Sequence, residues 1–145
     1  MNEEQKWNYI VELDDELLQG GSILSEWTTF QAKDAEIAFC SGAYLSSILS
    51  CQAAIESHLR FEHLNDTDLK RLSFFDLINK SYLPEKLKDE LHQLRKFRNK
   101  WIHVNEPDED HDFLSRPKYY ENELAEFAKV TVKNMLRTLY FNPMI

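Results

Sequence analysis

The sequence has few of the residues that make tight turns. Its 145 residues include only three glycines and four prolines, whereas Leu, Glu, Lys and Ala are abundant. A sheet architecture needs many tight turns, so this composition favours helices joined by a few loops. We predict an all-α protein with a single domain over residues 1–145, because a chain of this length builds one core and is short for two.

A membrane-spanning run and a basic, then apolar, leader are also missing. No apolar stretch approaches the length that crosses a bilayer, and the chain begins with the polar, acidic segment Met1–Lys6. We therefore expect a soluble, cytoplasmic protein without a membrane segment. Cys40 and Cys51 lie eleven positions apart on one predicted helix, roughly 16 Å, which is too far for a disulfide. They should be reduced residues of the core or of an interface.

The chain has a formal net charge of −8, which argues against a generic nucleic-acid binder. The charge is unevenly distributed, however. Carboxylates crowd into residues 12–16 and 106–112, whereas the stretch from Lys86 to Lys100 is locally basic. The distribution of charge matters more than the net charge, because it leaves one predicted helix able to bind an anion.

Neither a metal ion nor a cofactor is expected. The acidic segment 105–112 lacks the glycine and the terminal glutamate of a calcium loop, so a solvated loop is favoured over a metal site. The carboxylates of residues 14–16 are similarly favoured as a solvated helix face. His58 and His63 flank Glu62 on one predicted helix without a suitably spaced third ligand, and surface placement is favoured over metal binding.

Apolar residues recur at helical spacing in most of the chain. The aromatic side chains Trp7, Trp27, Phe30, Phe39 and Phe61 are scattered rather than clustered, which favours core positions over base-stacking platforms. The secondary structure of residues 23–30 is ambiguous, and residues 65–68 are typical of a turn.

Five helices are predicted. Four cover residues 5–18, 32–63, 73–81 and 119–140, and the fifth begins at Leu83-Pro84 and ends near His103.

The helix that ends near His103 has an arginine within its apolar stripe. At about 100° per residue, Leu87, Leu91, Leu94 and Trp101 share one face, and Arg98 falls in the middle of it. Burying a guanidinium is costly without a carboxylate partner or a wet cleft, so Arg98 needs one of the two. Glu56, at the edge of the apolar arc of the long helix 32–63, is the candidate partner.

Polar groups follow Arg98 closely. Asn99 and His103 are four residues apart and share a face if the helix continues, with Arg95 and His92 bordering it. A cation that can brace a phosphate beside a histidine that titrates near neutrality suits phosphoryl transfer or RNA cleavage without metal. The alternative is that His103 only caps the helix C-terminus.

These residues resemble the HEPN superfamily, and most closely its DUF4145-type branch. The resemblance is carried by the short helix around Phe74, the Leu83-Pro84 helix start, the pattern Leu-Arg-x-x-Arg-Asn-x-x-x-His over residues 94–103, and a long earlier helix with Ile55-Glu56. It covers roughly residue 35 to the C-terminus. It implies an up-and-down bundle of four or five helices that dimerises, so that two motifs face one cleft.

Many HEPN proteins are metal-independent endoribonucleases of toxin or phage-defence systems. By this resemblance His103 would activate the RNA 2′-hydroxyl or protonate the leaving oxygen, Arg98 would hold the phosphate, Asn99 would orient it, and Glu56 and Arg95 would support them. A homodimer, an RNA substrate and a protein antitoxin or defence partner are then expected.

The resemblance leaves a second hypothesis open, because other HEPN-like proteins are non-catalytic. The chain would then be a regulatory domain that binds RNA, a nucleotide or a protein. HEPN toxins paired with a nucleotidyltransferase antitoxin often have a tyrosine two residues after the histidine, where this chain has Asn105. That particular partnership is therefore doubtful.

Overall fold

The structure, a computed structural model, describes residues 1–63, 71–102, 104, 106–110 and 112–143. In these ranges the protein is all-helical, which confirms the predicted fold class. The six α-helices and one 3₁₀ helix (Pro107–Asp110) are α1 (Glu3–Leu17), α2 (Glu26–Ser41), α3 (Tyr44–Glu62), α4 (Phe74–Lys80), α5 (Glu85–Ile102) and α6 (Pro117–Leu139). None of the helices in these ranges is long and apolar enough to cross a membrane.

Local signals set several helix ends. Asn2 and Gln5 form a reciprocal capping box at α1, and the Ser73 hydroxyl accepts a hydrogen bond from the Asp76 amide at the start of α4. Pro84 directly precedes α5, and its carbonyl accepts a hydrogen bond from the Lys88 amide. The predicted segments 5–18, 73–81 and 119–140 therefore correspond to α1, α4 and α6, with ends that differ by one or two residues.

The continuous helix predicted over residues 32–63 is wrong. α2 ends at Ser41, Gly42 adopts a left-handed conformation with φ 85°, and α3 begins at Tyr44. The Gly42 amide donates to the carbonyls of Ala38 and Phe39, which terminates α2. Residues 23–30, which were ambiguous in the sequence, contain a linker and the first turn of α2, capped by the Ser25 hydroxyl.

The helices share one core, to which all six contribute. α3 lies at its centre, in contact with α2, α4, α5 and α6, and α6 also packs against α1 and α2. α5 and α6 run antiparallel: Phe97 stacks on Phe127, and Glu90 pairs with Arg137 at 3.2 Å further along. The completely covered side chains include Ile48, Ile55, Leu59, Leu77, Leu91, Val132 and Met135.

Two expectations about burial turn out differently. Of the five aromatic residues expected in the core, only Phe39 is fully buried, whereas Trp27 is 78 % exposed and Phe30 is also exposed. Both lie on α2, and Trp27 lines an open cavity between α2 and α3. His58 is buried rather than on the surface, and its Nε2 lies 2.9 Å from Glu62.

The cysteines are both free and buried, as expected. They lie on different helices, α2 and α3, because of the break at Gly42. Burial raises the pKa of the Cys40 thiol to about 11 and also raises the pKa of Cys51. A thiol is nucleophilic as its thiolate, so both are suited to packing rather than to chemistry.

Candidate functional site

The C-terminal half of α5 is the most basic stretch of the chain. Between Leu91 and Ile102 it has four cations (Arg95, Lys96, Arg98 and Lys100) and no carboxylate, although the whole chain has a net charge of −8. Leu91 and Leu94 fix this half of the helix in the core. The structure therefore anchors a locally cationic helix end on a rigid apolar face, as a site for an anion requires.

Arg98 is partly buried, less than the sequence suggested, and Asn99 is exposed. The expected ion pair between Arg98 and Glu56 is wrong. The Glu56 carboxylate instead accepts from Arg60 Nη2 at 2.8 Å, while Arg60 Nη1 donates to the Leu72 carbonyl at 2.9 Å. Arg60 is one turn from Glu56 on the same helix, so this pair forms without any tertiary arrangement.

Arg98 is left without a carboxylate: it takes part in none of the ion pairs formed among the described residues. Its guanidinium can therefore donate to an incoming anion. His103, the expected acid or base, lies outside the described residues, so its position relative to Arg98 and Asn99 stays a prediction.

Arg95 belongs to a cluster built by α4 and α5. Its Nε donates to His92 Nδ1 at 3.4 Å, and its guanidinium lies 5.1 Å from the centre of the Phe75 ring. His92 Nε2 is 2.8 Å from Asn79 Oδ1. Burial, together with the positive charge of Arg95, lowers the pKa of His92, which favours the neutral ring that these contacts need.

Sequence reasoning identified Arg95 and His92 at this site but missed Phe75 and Asn79. The spacing of His92 and Arg95 on one helix is visible in the sequence. Phe75 lies among apolar residues of the predicted helix 73–81, which favours a core position. Only the packing of α4 on α5 reveals that its ring is exposed and lies 5.1 Å from the Arg95 guanidinium.

An aromatic run continues beyond the site to α6. Trp101 stacks on Phe113 with a centroid distance of 5.2 Å, and Phe113 meets Tyr120 edge to face at 4.8 Å. A cavity of about 630 Å³ lies against these rings and is also lined by Lys100, Val104, Glu106, Glu109 and Asp110. Its three carboxylates make this end of the site less favourable for an anion than the Arg95 side.

Asp112 fixes the segment that enters α6. Its Oδ2 accepts from Arg116 Nη2 at 2.6 Å and from the Tyr120 hydroxyl at 2.8 Å. Hydrogen bonds from Arg116, Tyr120 and Ser115 lower the pKa of Asp112 to about 2. In the part of the chain that the structure describes, no three His, Cys, Asp or Glu side chains are grouped so that they could hold a metal ion.

No protein-family model matches the chain, and neither a curated protein nor a solved structure shows significant similarity to it. The functional argument therefore depends on the site itself.

Proposed function

We propose that the protein is a metal-independent endoribonuclease of the HEPN type, with Arg98, Asn99 and His103 as its active residues. The observation that carries the proposal is the carboxylate-free basic half of α5, in which the partly buried Arg98 has no ion-pair partner among the described residues. A cation held in this way suits a scissile phosphate better than a purely structural role, for which a buried carboxylate partner would be expected.

The reaction is transesterification within RNA. A neutral His103 accepts the proton of the 2′-hydroxyl while its oxygen attacks the neighbouring phosphorus, and the bond to the 5′-oxygen breaks. The leaving oxygen takes a proton, which gives a 2′,3′-cyclic phosphate and a 5′-hydroxyl. Arg98 stabilises the charge that develops on the phosphate oxygens, and Asn99 orients them.

A homodimer in which two motifs face one cleft is part of the same proposal, because one histidine could then accept a proton while the other donates one. Ile102, Val104 and Leu114, which lie near the end of α5 or just before α6, are all exposed and support an interface there. A toxin or phage-defence setting, with a protein partner, rests on the resemblance alone.

The second candidate is a non-catalytic HEPN-like regulatory domain that binds RNA, a nucleotide or a protein. The three carboxylates that line the cavity beside Trp101 favour it, because they weaken the attraction of this end of the site for a polyanion.

Cleavage of a labelled single-stranded RNA in the presence of EDTA tests the proposal. Wild type should yield products with a cyclic phosphate end, His103→Ala should abolish them, and Arg98→Ala should lower the rate by about 100-fold. Because Arg98 has no ion-pair partner among the described residues, Arg98→Ala should change the free energy of unfolding by less than about 1 kcal/mol. Lys133→Ala, an exposed cation on α6, is the matched control.

Two results would contradict the catalytic assignment. Undiminished cleavage by His103→Ala would remove the proposed acid and base. A loss of about 3 kcal/mol of stability in Arg98→Ala would instead indicate that Arg98 is a buried structural cation.

A further inference from the structure

Phe75, Asn79, His92 and Arg95 form a cluster on the surface between α4 and α5, which we call the Phe75 cluster. Phe75 is 46 % exposed although it lies on a helix that buries Phe74, Leu77 and Ile78. Its ring is 5.1 Å from the His92 ring and 5.1 Å from the Arg95 guanidinium. An aromatic ring, an imidazole and a guanidinium thus share one solvent-facing patch.

Each polar group of the Phe75 cluster is held in place by another. Asn79 Oδ1 accepts from His92 Nε2 at 2.8 Å, so Nδ1 of the neutral ring is the atom that accepts from Arg95 Nε at 3.4 Å. Lys88 Nζ donates to the Asn79 carbonyl at 3.1 Å. This network positions the guanidinium over Phe75 before any ligand arrives.

Arg95 retains unused donors. Among the described residues only its Nε is hydrogen-bonded, so Nη1 and Nη2 can donate to a ligand. Of the carboxylates closest in sequence, Asp76 accepts from the Ser73 hydroxyl and Glu90 pairs with Arg137 at 3.2 Å. Asp89 also acts on the cluster, since its charge raises the pKa of His92, and it lies on the N-terminal side of Arg95. Towards Asn99 the surface is basic, which favours an anionic ligand. The exposed Phe75 ring favours a ligand that also has a planar group.

Single-stranded RNA combines these two properties, because every nucleotide offers a flat base and a charged phosphate. We propose that the Phe75 cluster is a nucleotide subsite for single-stranded RNA: an unpaired base stacks on Phe75 beside Arg95, and Nη1 and Nη2 of Arg95 bind an adjoining phosphate. This inference rests on the proposed ribonuclease function and adds where its substrate lies.

The subsite is adjacent to the proposed catalytic residues and distinct from them. Asn99 follows Arg95 by one turn of α5, roughly 6 Å along the helix axis. The nucleotide at Phe75 is therefore a neighbour of the scissile phosphate. Since a base inside a duplex cannot stack on a protein ring, the subsite selects unpaired RNA over double-stranded RNA.

Fluorescence anisotropy with a labelled single-stranded RNA and His103→Ala protein measures binding without cleavage. In that background Phe75→Ala should weaken binding by about tenfold, and Arg95→Gln should weaken it by about fivefold and lower the salt slope by about one. The matched controls are Phe30→Ala and Lys33→Gln, an exposed ring and an exposed cation on α2, which should leave binding unchanged.

An abasic oligonucleotide separates stacking from charge, because it keeps the phosphates and lacks the base. The His103→Ala parent and its Phe75→Ala variant should bind this oligonucleotide equally well, whereas the Arg95→Gln variant should bind it less well than the parent. If Phe75→Ala does not fold, Phe75→Leu keeps the side chain apolar and removes the ring face. Equal binding of RNA by the Phe75 variants and their parent overturns the subsite, even if wild type cleaves RNA. If wild type does not cleave RNA but its RNA binding still depends on Phe75, the subsite is supported and the proposed ribonuclease function is overturned.

Discussion

Glu36 is a carboxyl group in an unfavourable place. It is partly buried on α2, where burial and then the charge of Asp14 raise its pKa to about 7. Asp14 in turn accepts a hydrogen bond from the Tyr140 hydroxyl at 2.9 Å, which joins α1 to the end of α6. Ionising Glu36 therefore places a second negative charge beside a contact that joins the first and last helices.

We predict that Glu36 makes the protein less stable as the pH rises from about 4.5 to above 7. Over this range the unfolded chain releases the Glu36 proton before the folded protein does, so ionisation favours unfolding. Because Glu36 is partly exposed, we expect a loss on the order of 1 kcal/mol. Urea unfolding of wild type and Glu36→Gln at pH 5 and pH 8 measures it.

The variant should gain stability relative to wild type at pH 8 and lose that advantage at pH 5. Asp34→Asn, an exposed carboxyl on the same helix, is the control and should show no such pH-dependent difference. A wild-type stability curve parallel to that of Glu36→Gln across this range would show that Glu36 ionises as easily in the folded protein as in the unfolded chain.

The residues of the candidate site show what the sequence could and could not predict. The Arg98-Asn99 motif and its place near the end of a helix follow from local pattern. The partner of Glu56 does not, because the pattern leaves both a distant cation and the local Arg60 available, and the structure forms the pair one turn away on the same helix. The Phe75 cluster could not be foreseen, since it depends on how α4 packs against α5.

At the level of the helices, the break between α2 and α3 depends on one residue. Gly42 has φ 85° and ψ 9°, and a Cβ added there would meet nothing within 4 Å. A side chain at this position would therefore be disfavoured by the backbone conformation alone and not by a clash. The sequence pattern does not predict this break, because apolar residues continue at helical spacing on both sides of Gly42.

We predict that Gly42→Ala lowers the free energy of unfolding by about 1 kcal/mol, because alanine resists the left-handed conformation that ends α2. Chemical denaturation followed by circular dichroism measures the change. Gly21→Ala is the control: its φ is not positive and its Cβ site is also open, so the substitution should be neutral or slightly stabilising. An equal effect at both positions would mean that the conformation of Gly42 does not determine the cost.

At the scale of the whole molecule, α6 separates two exposed apolar regions. Its 23 residues span roughly 35 Å. The basic end of α5 lies near its N-terminus, where Trp101 stacks on Phe113 and Leu114 is 93 % exposed. Near its C-terminus the Ser22 hydroxyl donates to the Leu139 carbonyl, and the neighbouring Ile23 is 82 % exposed. A dimer that joins two α5 motifs must use the first region.

We predict that Leu114→Glu converts the proposed dimer to a monomer and abolishes the proposed RNA cleavage, because it would bury a carboxylate in an apolar interface. Ile23→Glu makes the same chemical change at the far end of α6 and should leave both properties intact. Light scattering gives the mass and the EDTA assay gives the activity of each variant. A monomeric wild type with full activity would exclude a shared cleft, and loss of activity by a Leu114→Glu dimer would place Leu114 in contact with RNA instead of a second protomer.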